Sequence, residues 1–357
     1  MLNWMLVFAP IAVLLEYVAA EYHLLVFLAA ALAIVPLAGW LGRATEQLAE
    51  RSGEGVGGLL NATFGNATEL IIALSALRAG LHDVVKASIA GSIVGNILLV
   101  LGAAMLAGGL RYPEQQYNAS AARSQATLLT LAAIALILPA AYNAVVSSRA
   151  PYGLQALSLY ISLVLLLVYG LFLVYSLITH KKLFAGSPDV RIDPHQVPLW
   201  PVGKALAVLA VATVLTAWIS EILVGAIEPS AHQLGLSNLF VGVFVVAILG
   251  NAAEHASAIS AAMKNRMDLS LSIAIGSSVQ VALFVAPVLV LASYGIGAHP
   301  MDLAFSGGLV LSVLLAVLIT GQVAGDGRSD WLKGVQLLAV YLILGLAYFF
   351  TPDASVV

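Results

Sequence analysis

Two stretches, Gly65-Asn66-Ala67-Thr68-Glu69-Leu70 and Gly250-Asn251-Ala252-Ala253-Glu254-His255, each set a glutamate inside an apolar run of membrane-spanning length. An ionised carboxylate at that depth is costly, and it escapes the cost by taking up a proton or by coordinating a cation. Proton and metal compete for the same oxygens, so such a pair links the two: one divalent ion, or two protons, neutralises Glu69 plus Glu254. Ca²⁺ takes roughly six to eight oxygens, of which two carboxylates supply at most four. Asn66 and Asn251 each precede their glutamate by three residues, which puts each amide on its glutamate's helix face. Gly65 and Gly250 mark points where a helix can open and aim carbonyl oxygens at an ion. Further oxygens come from Ser92, Asn96, Ser277, Ser278 and Gln280 in neighbouring spans. These are hard donors, without thiolates or a histidine cluster, and they suit Ca²⁺ or Na⁺ better than zinc or copper. The expected cation and proton site is therefore Glu69, Glu254, Asn66, Asn251, Asn96, Gln280, Ser277 and Ser92, with Glu69 and Glu254 as the metal-binding carboxylates.

Two further groups have the right chemistry for proton relay or gating. His255 adjoins Glu254, and Glu221 is a third acid within a span. Each has a plainer reading: His255 orienting its neighbour or packing at an interface, Glu221 making a buried hydrogen bond to a serine or a backbone group. A single Asn or Ser in a membrane helix is commonly packing glue. Glu16 and Glu228 lie towards span ends and are expected to be solvated. His180 and His195, with Asp189 and Asp193, are read as a solvated loop, with a weak cation sensor as the alternative.

The elements that must position these groups follow from composition. Of 357 residues, 61% are hydrophobic and only 9% charged, which excludes a soluble globular fold with a charged surface. The reading is an all-α integral membrane protein. There is no cysteine, so disulfides and thiolate sites are excluded. Eleven windows of spanning length lie near 2–20, 23–47, 55–79, 84–109, 122–142, 154–179, 203–230, 236–264, 268–295, 301–322 and 331–351. The first has no basic n-region and is read as a retained helix and not a cleaved signal. If all eleven cross, every Lys and Arg except Arg78, Lys86 and Arg149 falls on the N-terminal side, which the positive-inside rule assigns to the cytoplasm. The C-terminus is then outside.

The glutamate motifs also repeat in order. Glu69 and Glu254 are 185 residues apart, and a second echo, SIAGSIVGN ending at Asn96 and SIAIGSSVQ ending at Gln280, recurs at 184. Two ordered matches at nearly one offset imply duplication of a five-helix unit. Five crossings reverse direction, so the copies are inverted. The expected organisation is an extra N-terminal helix at 1–22, a first repeat at 23–180, a cytoplasmic linker at 181–202 and a second repeat at 203–357. At about 1.5 Å per residue both glutamates fall near mid-span, the depth at which inverted-repeat transporters bind their substrates.

The segments GLLNATFGNATELIIAL at 58–74 and GNAAEHASAISAAMKNRMDLSLSIAIGSSVQVALFVAPVLV at 250–290, with WISEILVGAIEP near 218–229, resemble the Ca²⁺/H⁺ exchanger family of the calcium/cation antiporter superfamily. The resemblance runs over most of the chain, and the Thr-Ser-Pro-Glu wording of Na⁺/Ca²⁺ exchangers is not present here. It implies that Glu69 and Glu254 match the paired cation-binding glutamates, and that Asn66, Asn251, Asn96, Ser277 and Gln280 match the surrounding polar positions. It also implies that the second and seventh helices slide past a static core. One departure is the 180–201 segment, which lacks the markedly acidic character of many relatives. The expected function is a secondary antiporter, not an enzyme, exporting Ca²⁺ in exchange for H⁺ by alternating access. The expectation includes a prokaryotic plasma membrane, the lipid bilayer as partner, no cofactor, no nucleic acid and a possible homo-oligomer. Alternatives are a Na⁺-coupled Ca²⁺ exchanger or a Na⁺/H⁺ antiporter on the same scaffold, and, from a different class, a cation channel. No Ser-Lys or His-Glu-x-x-His constellation supports a membrane hydrolase.

Overall fold

Hydrocarbon offers a backbone no water, so an apolar run that enters it must close its N–H and C=O groups on itself, and an α-helix does this within one segment. The computed structural model describes residues 3–146, 153–181, 199–297 and 299–351. In chain order its helices are α1 (Asn3–Val18), α2 (His23–Arg51), α3 (Gly53–Phe64), α4 (Ala67–Arg78), α5 (His82–Gly109), α6 (Ala119–Val146) and α7 (Gly153–Thr179). They continue as α8 (Val202–Leu234), α9 (Asn238–Gly250), α10 (Ala252–Ala262), α11 (Met267–Ser293), α12 (Gly307–Asp326) and α13 (Trp331–Phe349). Among the described residues a single two-residue antiparallel ladder pairs Gln115 with Ser329 and Gln116 with Arg328.

Among the described residues, 8 helices are long and apolar enough to cross a membrane, and up to 9 if the bent pair α9–α10 counts as one span. The chain is an all-helical integral membrane protein. α1 is shorter than a full span, and α3 and α4 have 12 residues each. The tenth expected span begins at Gly307, several residues later than its apolar run suggests. The expected linker at 181–202, with Asp189, Asp193 and His195, lies outside the described residues apart from its ends, Lys181 and residues 199–202. His180, at its start, stacks on Tyr175 with ring centroids 4.1 Å apart.

The chain divides into two compact units, and each draws on both halves of the sequence: Met1–Ser88, Val197–Ala253 and Leu346–Val357 form the first, Ile89–Gln196 and Glu254–Gly345 the second. In the first unit α8 lies along α2 and also packs on α4. One face of α2 grips the segment that leads into α8. Gln47, only 6% exposed, accepts the Trp200 N–H at 2.6 Å, and Arg51 donates to the Leu199 carbonyl at 3.3 Å. Trp40 and Trp200 lie with ring centroids 6.0 Å apart, covered on either side by Arg43 and Lys204 at 5.8 and 4.7 Å. Cations on indole faces next to apolar spans suit the membrane–water boundary.

The second unit is built on α5 and α11, whose apolar windows are 83% and 72% buried, while α7 at 17% presents most of its surface outward. Gly334 lets α13 lie against the α5 backbone at Gly102 and Leu106, where a side chain would collide. At one end of this unit the loop after α5 ties down α10: Gln115 donates to the Ala262 carbonyl at 2.8 Å and to Asn265 Oδ1 at 3.0 Å. Asn265 itself closes α10 in the left-handed region at φ 57°. Tyr117 nearby is buried and donates to the Val323 and Arg328 carbonyls at 3.2 and 3.3 Å. Burial, reinforced by the Asp326 carboxylate, raises its phenol above the usual range, so it stays a neutral donor.

Candidate cation-binding site

Both glutamate motifs break their helix at the same place. After α3 ends at Phe64, Asn66 leaves the helical region at φ −95°, ψ 24°, and α4 restarts at Ala67 with Glu69 in its first turn. After α9 ends at Gly250, Asn251 does the same at φ −98°, ψ 7°, and α10 restarts at Ala252 with Glu254 in its first turn. The α9–α10 pair bends by 64° there. Both asparagines are 1% exposed. Asparagine suits a buried break because its amide can replace ladder bonds that the backbone gives up. Asn251 Nδ2 donates to the Ala247 carbonyl at 2.9 Å.

A helix break also sorts charge. The restarting helix offers its positive end to an acid in its first turn, while the helix that has just ended presents carbonyls with partial negative charge. Each motif thus gathers a carboxylate, an amide and backbone oxygens within a few residues, the donor set of a hard cation.

In the first unit, Glu69 is 7% exposed and lies flat on Gly250. A Cβ built on Gly250 would stand 3.0 Å from Glu69 Cγ and 3.6 Å from Cδ. Glycine at 250 thus gives the Glu69 side chain room for its close approach. Its sequence reading as a point of helix opening is joined by this second role.

In the second unit four expected residues form a chain of hydrogen bonds. Ser277 bonds the Glu254 carboxyl, Asn96 Nδ2 donates to Ser277 Oγ at 3.1 Å, and His255 Nε2 lies 3.2 Å from Asn96 Oδ1. A carbonyl oxygen has no proton to give, so His255 carries its hydrogen on Nε2 in this bond. That hydrogen fixes the Asn96 amide, whose NH₂ then faces Ser277. Glu254 Oε2 is shut off from solvent without a hydrogen-bond partner. A buried carboxylate oxygen in that state is strongly drawn to a proton or a cation.

The remaining expected residues separate by role. Ser92 is buried one turn before Asn96, and Gln280 is half-buried at the end of its α-helical stretch. Ser278 donates to the Ile93 and Ala274 carbonyls at 3.3 and 3.1 Å, which makes it packing glue. For Glu221 the plainer reading of a buried hydrogen-bonded acid is corrected: the side chain is exposed and pairs with Arg78 at 2.9 Å, joining α8 to the far end of α4. Its apolar sequence neighbours suggested burial, whereas the helix turns this position outward. Among the described residues no three His, Asp or Glu side chains gather as a metal cluster.

One feature of the site had no sequence signal. α5 changes to π spacing over Gly95–Val100, which contains Asn96, and α11 does so over Val281–Val285, just after Gln280. Such wide turns are frequent at functional positions. Apolar periodicity does not mark a one-residue change of spacing, and the only hint was that both echoed segments end there.

The chain matches the family model described as sodium/calcium exchanger protein over residues 22–178 and 204–350. This chain belongs to that family. Among similar exchangers, a Ca²⁺/H⁺ antiporter of Aphanothece halophytica is 46% identical over 98% of this chain and 96% of its own length. A Ca²⁺/H⁺ antiporter of Synechocystis is 47% identical over 92% and 91%. A crystal structure of the selenium-substituted Ca²⁺/H⁺ antiporter protein YfkE shares 38% identity and superposes with a TM-score of 0.81, covering 98% of this chain and 100% of that one. The similar exchangers are transporters and not enzymes, and several are bacterial.

Proposed function

We propose that this exchanger exports Ca²⁺ from the cytoplasm in return for H⁺, with Glu69 and Glu254 holding either one Ca²⁺ or protons. The observation that carries the reading is the matched pair of helix breaks, each restarting with an acid in its first turn whose carboxyl is withdrawn from solvent. The high identity to Ca²⁺/H⁺ antiporters over nearly the whole chain favours H⁺ over Na⁺ as the counter-ion.

In this reading eleven spans form two inverted five-helix repeats after an extra N-terminal helix, with the N-terminus cytoplasmic, the C-terminus outside and the bilayer a prokaryotic plasma membrane. Alternating access opens the site to one side at a time. Facing out, the glutamates take up protons; facing in, they release them and bind Ca²⁺. Asn66, Asn251, Asn96, Ser277, Gln280 and Ser92 complete the oxygen shell. His255 keeps the Asn96 amide oriented. The empty, doubly anionic state is too costly to carry through a closed conformation, and this couples the two fluxes.

The test is Ca²⁺ uptake into proteoliposomes under an imposed pH gradient, with and without Na⁺. Uptake is expected to follow the pH gradient and to ignore Na⁺. Glu69→Gln and Glu254→Gln are each expected to lower the rate by at least about 100-fold in protein that still folds, since a buried charge interaction of several kcal/mol is lost. Full exchange in either variant, or uptake that depends on Na⁺ instead, contradicts the proposal.

A further inference from the structure

A π turn holds one more residue than an α turn, so where the ladder returns from i−5 to i−4 spacing one carbonyl is passed over. In α5 the last wide bond runs from the Leu101 N–H to the Asn96 carbonyl. Ile97 is the next carbonyl along. Thr320 of α12, with 0% exposure, donates its hydroxyl to the Ile97 carbonyl at 3.3 Å and makes no bond to its own helix. This is unusual for a threonine in an apolar span, which normally returns its proton to the carbonyl four residues back. Ser278 of α11 supports the preceding turn through Ile93. Between these two supported carbonyls stands Asn96, whose amide bridges Ser277 and His255.

We propose that Thr320 is a positioning residue for Asn96: its hydroxyl satisfies the carbonyl that the π turn leaves over, and so holds the turn that aims the Asn96 amide at Ser277. The inference rests on the proposed function only in giving that amide a cation to serve. Without the hydroxyl, α5 relieves the orphaned carbonyl most cheaply by rewinding to α spacing. Rewinding by one residue rotates one side of the bulge by about 100° against the other. Asn96 then turns away from Ser277 and Glu254. Nothing in the sequence of α12 points to this role, because the contact lies 223 positions away.

The chain has no cysteine, so the geometry can be read directly by engineered cross-linking. Asn96→Cys combined with Ser277→Cys is expected to oxidise readily to a disulfide in membranes. Adding Thr320→Val, which keeps the shape and removes the donor, is expected to lower the cross-linking yield at least about threefold, and Thr320→Ser to restore it. Should Thr320→Val not reach the membrane, Thr320→Ala carries the same comparison. In the otherwise unaltered chain, Thr320→Val is expected to raise half-saturating Ca²⁺ by about threefold to tenfold at an unchanged maximal rate, with recovery in Thr320→Ser. An unchanged cross-linking yield overturns the proposal, as does an unchanged half-saturation in protein that exchanges Ca²⁺ for H⁺. If the unaltered chain exchanges no Ca²⁺ for H⁺, the proposed function falls, and the cross-linking result still decides the role of Thr320.

Discussion

Glu69 owes its setting to the residue beneath it. Because a Cβ at position 250 would stand 3.0 Å from Glu69 Cγ, Gly250→Ala forces the carboxylate to move by a few tenths of an ångström. Overpacking of this kind typically costs about 1–3 kcal/mol, so half-saturating Ca²⁺ is expected to rise about tenfold, measured as flux against Ca²⁺ concentration. An unaltered affinity would mean that the seat tolerates a methyl group and that Gly250 serves only the helix break. At this scale the sequence was informative where chemistry repeats itself. Glutamate and asparagine in an apolar run are conspicuous, and their second appearance at a fixed offset removes chance. It was uninformative where a partner is distant: nothing near Glu221 in the chain announces Arg78, 143 positions away.

At the scale of elements, the breaks after Gly65 and Gly250 were readable because Gly-Asn within a long apolar run gives up helix locally. The π turns were not, since a one-residue change of spacing leaves the apolar pattern of these helices unmarked. The grip of α2 on the start of α8 also depends wholly on tertiary contact. Gln47→Leu keeps the volume of the side chain but withdraws the acceptor from the Trp200 N–H. A half-buried donor left without a partner costs about 1–3 kcal/mol. The detergent-solubilised protein is therefore expected to melt at a lower temperature, while Gln47→Glu, which keeps an acceptor, loses less. Equal melting of both variants and the parent would show that the Trp40–Trp200 contact and the Arg51 bond secure this junction without the Gln47 acceptor.

At the scale of the molecule, the charge asymmetry makes a sided claim. Arg328 and Asp83 are both exposed, and the proposed topology sets them on opposite faces of the membrane. In a chain without native thiols, Arg328→Cys is expected to react with an impermeant maleimide only in everted vesicles and Asp83→Cys only in right-side-out ones. Labelling of both from one side would remove the proposed arrangement of spans. Composition made the helical membrane class readable. The two compact units were not, because each takes segments from both halves, and such interleaving leaves no trace in local pattern. The contact between Gly250 and Glu69 has a consequence for ancestry and for protein engineering alike. The floor beneath Glu69 is supplied by a glycine far along the chain, so the two positions are bound to change in concert. Severed fragments of this chain would have to find each other before the earlier one regained the surface on which its acid rests.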